Sequence, residues 1–143
     1  MKKLLIVLTV ATALAIMWSS GFVQGQEKKG VIFASADSAK FTEVVPGVSK
    51  AALWGDDTKG PYGSFTKFKP GNDNGMHTHT NDVWITVHKG AYLYKDDAGE
   101  KRVGPGGFIF VPGGWKHWSG GDAKEGALFY EESSGKFDII PAN

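Results

Sequence analysis

His77 and His79 stand two residues apart on a Gly-rich approach to an apolar run. In extended backbone that spacing sends both imidazoles to one side. Two imidazoles so placed make a two-tooth clamp for a divalent transition metal, and the same spacing also suits two polar residues beside a turn. His117 follows the turn Pro112-Gly113-Gly114-Trp115-Lys116, which comes after the apolar run Phe108 to Val111. Reversal of the chain there starts the next strand near the end of the sheet where the preceding one stopped. His88 shares parity with Trp84 and Thr86 and lies opposite Val83, Ile85 and Val87. With Val83 turned inward, His88 turns away. The chain has no Cys, which removes thiol catalysis, thiolate ligation and disulfides together.

These residues need short, regularly reversed elements to bring them together. Strand-like runs occur at Lys40 to Val45, Lys50 to Trp54, Tyr62 to Lys69, Val83 to His88, Ala91 to Tyr94, Gly107 to Val111, His117 to Ser119, Ala127 to Glu131 and Phe137 to Ile140. Between them lie turn clusters such as Pro70 to Gly75, Asp96 to Gly99 and Pro105 to Gly107. No window keeps the 3.6-residue period over ten positions, so helix is limited to a turn or two near Asp37 to Lys40. Nine short strands with regular turns predict one all-β domain, a sandwich or small barrel, over residues 26–143.

Residues 1–25 read as a secretory signal peptide. Lys2 and Lys3 precede the apolar run Leu4 to Trp18, and Val23 and Gly25 occupy the −3 and −1 positions of a cut before Gln26. An apolar run of about 15 residues falls short of the ~20 that span a bilayer. The expectation is a secreted protein, extracellular or periplasmic, with no stable membrane association after signal removal. The formal charge of +1 belongs to the leader: without Lys2 and Lys3, 14 basic residues face 15 acidic ones, a net −1. That balance, with no clustered positive face, excludes nucleic acid as a partner.

Two stretches carry a family resemblance. Gly71, His77-Thr78-His79 and Gly90 resemble the first motif of the cupins, and Gly106, Pro112, Gly114 and His117 resemble the second. The resemblance implies a cupin double-stranded β-helix, or jelly-roll barrel, with one mononuclear metal held by His77, His79 and His117. This sequence departs from the pattern where cupins commonly carry a Glu ligand, separated from the second His by three residues: that place holds Val83. Asp82 lies one residue out of phase, on the other face of a pleated strand.

An all-imidazole set without a carboxylate favours copper, with zinc or iron as alternatives. The indoles of Trp115 and Trp118 flank His117, and Tyr62 lies beside the turn Lys59-Gly60-Pro61, so these three are the candidate substrate-binding aromatics. Length, leader, missing Cys and the His set are similar to small secreted single-domain cupins, some of which bind copper and cleave cellulose oxidatively. The resemblance thus implies a copper oxidoreductase acting on polysaccharide. Two readings stand beside it: a metal-dependent (Zn, Fe or Mn) sugar or small-acid isomerase, lyase or dioxygenase, and a non-enzymatic ligand-binding cupin. Tyr130 and Glu131 point to opposite faces of a late strand, one of them inward, and no general acid or base is assigned. Trp84, on the face opposite the interior, points to a homodimer.

Overall fold

The structure is a computed structural model that describes residues 30–142. The chain divides into two compact units, residues 1–31 and 32–143. Only Gly30 and Val31 of the first are described, without regular structure, and the leader expected at 1–25 lies outside the described residues.

In the second unit, eleven strands follow one another: β1 (Thr42–Val45), β2 (Val48–Gly55), β3 (Tyr62–Phe68), β4 (Asp73–Thr78), β5 (Val83–Gly90), β6 (Tyr92–Asp96), β7 (Gly99–Val103), β8 (Phe108–Val111), β9 (His117–Gly121), β10 (Ala127–Ser133) and β11 (Ile140–Pro141). They form two antiparallel sheets, one ordered β1-β2-β3-β10-β5-β8 and the other β11-β4-β9-β6-β7. Among the described residues there is no helix, and Asp37 lies in a simple turn.

Two strands differ from expectation. β4 starts inside the expected turn cluster Pro70 to Gly75, and β7 runs from the last residue of the expected turn Asp96 to Gly99 through Glu-Lys-Arg, which has no apolar alternation and carries no expected strand. Both are held by their partners: β4 pairs with β9 and β11, while the edge strand β7 pairs with β6. The run expected over Phe137 to Ile140 shrinks to the two residues of β11, since 136–139 form an irregular segment.

The sheets close on a core that includes Val48, Phe68, Val83, Ile85, Val87, Tyr92, Val111 and Phe129. Phe68 and Phe129 from the larger sheet pack with Tyr92 from the smaller at centroid separations of 4.9–5.3 Å. Phe129 meets both other rings edge-to-face, and packing of that kind adds about 0.5–1.5 kcal/mol per pair beyond area burial. Alternation along β5 is as expected. Val83, Ile85 and Val87 are buried, while His88 is exposed and meets Phe65 edge-on.

Candidate metal centre

β4 and β9 lie side by side in the smaller sheet, and His77 is paired directly with His117. Cross-strand partners share a face, so both rings point between the sheets, with centroids 4.3 Å apart. Two residues beyond His77, the chain leaves β4 and sends His79 to the same side, 5.0 Å from His77 and 5.3 Å from His117. One ring nitrogen from each of the three lies within 4.8 Å of the other two. The clamp read from spacing and the third histidine read from the turn are therefore one cluster.

Each imidazole is oriented through its Nδ1 by a backbone carbonyl: His77 by Gly75 at 2.8 Å, His79 by Asp138 at 2.6 Å, His117 by Trp115 at 3.0 Å. A carbonyl only accepts, so Nδ1 carries the proton in all three and Nε2 is left as a lone-pair donor. Such bonds to the far nitrogen are what fix metal-ligating histidines in other proteins. His117 Nε2 is buried and has no hydrogen-bond partner, the one such side-chain atom among the described residues. Buried polar atoms are almost always partnered, and a divalent ion would supply the missing partner. Burial holds His117 down to about 4, and His77 is lowered mainly for the same reason. Both rings are thus neutral at physiological pH, the form that ligates. The three histidines fit a single metal ion.

Local structure makes these bonds possible. In β4 two residues, Asn74 and Gly75, stand where β9 offers one, between the pairs Asp73 with Gly120 and Met76 with Trp118. Gly75 takes φ 68°, the left-handed value that lets glycine form such a bulge, and its carbonyl meets the His77 ring. The loop carrying His79 is stitched to the turn before His117, since Gly114 N–H donates to the His79 carbonyl at 2.7 Å. Asp138 accepts from Thr80 N–H at 2.9 Å and from its hydroxyl at 2.5 Å. Burial opposes ionisation of Asp138, yet these bonds keep its carboxyl below the usual range.

Asp82 stands outside the cluster: its carboxylate accepts from Gly113 N–H at 2.8 Å and braces the turn. Trp115 is half exposed, and its Nε1 donates to Tyr94 Oη at 3.0 Å and to Asp96 at 3.2 Å. Tyr94 in turn stacks on His117 at 5.5 Å. Trp118 is carried by the other face of β9, in an outer groove with Met76, Leu93 and Arg102, and its Nε1 donates to Asp73 at 2.6 Å. The expectation for Tyr62 is corrected. Only 2% of it is exposed, because β3 is a central strand whose first residue turns inward, so it cannot serve as a rim aromatic. Between the sheets a cavity of about 20 Å³ is lined by His77, His79, Asn74, Ser119, Tyr92 and Glu131, among others. Of the two late-strand residues left open, Glu131 is the one inside. Asp138, Gly75 and Tyr94 were not legible as site residues, since no motif marks a residue that acts through its backbone or through stacking.

Residues 38–143 match the family model described as Domain of unknown function (DUF4437). No curated protein matches the chain. Among solved structures, KdgF from Halomonas sp. is similar at 20% identity and TM-score 0.62, over 77% of this chain and 97% of that one. The polyketide cyclase RemF from Streptomyces resistomycificus is similar at 18% identity and TM-score 0.65, over 80% and 87%. An RmlC-like cupin from Shewanella frigidimarina is similar at 19% identity and TM-score 0.57, over 71% and 89%. These likenesses establish the fold, a cupin barrel.

Proposed function

The chain belongs to the DUF4437 family, whose description carries no activity, and we propose that it is a metal-dependent enzyme acting on a small molecule at the His77–His79–His117 centre. The observation that carries this reading is the unpartnered, fully buried Nε2 of His117 beside two imidazoles tied in the same tautomer. An ion bound by three neutral nitrogens keeps its full charge and supplies Lewis-acid chemistry or, as copper, one-electron chemistry. With Val83 in place of a carboxylate ligand, copper or zinc suits the donor set better than iron or manganese. Chain groups shape the rest of the cavity: Asn74 and Ser119, bonded to each other at 2.9 Å, form a polar part of its lining, and Val83 and Ile85 an apolar part. The size of that cavity, about 20 Å³, favours a small substrate that inserts one polar group. The likeness to a polyketide cyclase lends weight to a small-molecule substrate.

A second reading, copper-dependent oxidation of a cellulose-like glycan, draws on Trp115, whose half-exposed indole stands two residues from His117 and suits stacking on a sugar ring. Export, read from residues 1–25, belongs to both. The test is metal analysis of the chain purified without chelator, then activity. About one copper or zinc per chain, lost in His117→Ala, is the expected result. No metal, and none taken up on titration, would overturn both readings. Oxidised products from cellulose with ascorbate or peroxide, absent in His77→Ala, would place the glycan reading first.

A further inference from the structure

The wall opposite His77 and His79 carries a carboxylate that the metal centre leaves unused, with two more ionisable side chains bonded to it. Glu131 of β10 is 6% exposed and lines the same cavity as His77 and His79, although it comes from the opposite sheet. Lys50 of β2, 5% exposed, brings Nζ to 2.6 Å from Glu131 Oε1 and donates to Tyr62 Oη at 2.8 Å. Tyr62 hydrogen-bonds the same carboxylate oxygen. The ring of Phe137 closes over the ammonium, 3.6 Å from Nζ. An apolar group of equal volume commonly serves stability as well as a buried ion pair does. Stability therefore gives no reason for this one.

We propose that Glu131 is the proton-transfer carboxylate of the site, acting on a small oxo compound whose carbonyl oxygen faces the imidazole wall. This rests on reading the histidine cluster as a metal centre. The cavity has room for one polar group between the ion that the histidines would hold, which would accept electron density from a carbonyl oxygen, and a base, the arrangement that removal of a proton beside a carbonyl requires. Glu131 takes the proton as the C–H bond breaks, and the electron pair moves into the carbonyl system to give an enolate. The carboxylic acid so formed returns the proton to the same or the neighbouring carbon. No oxidant or co-reactant is consumed. Lys50 and Tyr62 position the carboxylate and take no part in the bond changes.

The experiment follows deuterium entering pyruvate and dihydroxyacetone in D2O by proton NMR, with metal per chain measured on the same samples. The metal-loaded wild type exchanges carbon-bound protons of a probe faster than buffer does, and Glu131→Gln lowers that rate at least 100-fold with metal content unchanged. Tyr62→Phe lowers the saturated rate and leaves the half-saturating concentration where it was. Where Glu131→Gln strands the Lys50 ammonium and the chain does not fold, Lys50→Met/Glu131→Gln removes both charges and is measured instead. Equal exchange by the variant, loss of its metal, or no exchange by the loaded wild type overturns the role of Glu131. Absence of metal from the wild type overturns the metal centre itself, so the two failures are distinct.

Discussion

Three backbone carbonyls decide what the three histidines can do. Because Gly75, Asp138 and Trp115 occupy Nδ1, each ring offers Nε2 and only Nε2. Asp138→Ala removes the two bonds from Thr80 that hold the carbonyl under His79. It is expected to weaken metal binding about 10–100-fold, as loss of outer support does elsewhere, measured by competition with a chromogenic chelator. Acid has a defined effect on the metal-free protein. His117 titrates at about 4 in the fold, below its ordinary 6.5, because burial disfavours the charged ring. The unfolded chain therefore binds more protons between these values, and stability is full above about pH 6.5 and falls as pH drops toward 4. Urea midpoints at a series of pH values check this, and His117→Gln should flatten the slope in that window.

Elements carry the site through two irregularities, a bulge and a buried charge. Gly75→Ala meets no neighbour, since open space surrounds the position, but it places a Cβ in left-handed backbone. The expected cost is about 1–2 kcal/mol, together with weaker metal binding as the carbonyl under His77 shifts. Thermal unfolding with and without metal separates the two effects. In the larger sheet, Glu131→Ala leaves the Lys50 ammonium buried without its partner at 2.6 Å. A loss of about 3–5 kcal/mol is expected, most of it recovered by adding Lys50→Met. A cycle of urea denaturations over the four proteins measures that coupling.

At the scale of the molecule, the larger sheet ends in the edge strand β8, whose outward Phe108 and Phe110 are 62% and 47% exposed. Trp84 stacks on Phe110 at 5.5 Å and extends the apolar surface onto β5. A homodimer through this face is expected, with sedimentation as a dimer at micromolar concentration. Phe108→Lys/Phe110→Lys should shift the chain to a monomer and leave metal content unchanged. A monomeric wild type would count against the pairing.

The sequence by itself determined the β class, the inward parity of Val83, Ile85 and Val87, and the three histidines. Turn residues and two-residue alternation are local properties, written in adjacent positions. It did not show β4 or β7, because pairing with a neighbour outweighed the poor strand propensity of Asn, Gly and Lys. Tyr62 looked like a rim residue from its turn, and only the central place of β3 turned it inward. Tertiary structure alone decided that Glu131, Lys50 and Tyr62 meet across three strands, and that Glu131 shares a cavity with His77 and His79 from the opposite sheet. Lys50 and Glu131 are 81 residues apart, and a contact between distant strands depends on sheet order and register, which no local pattern encodes.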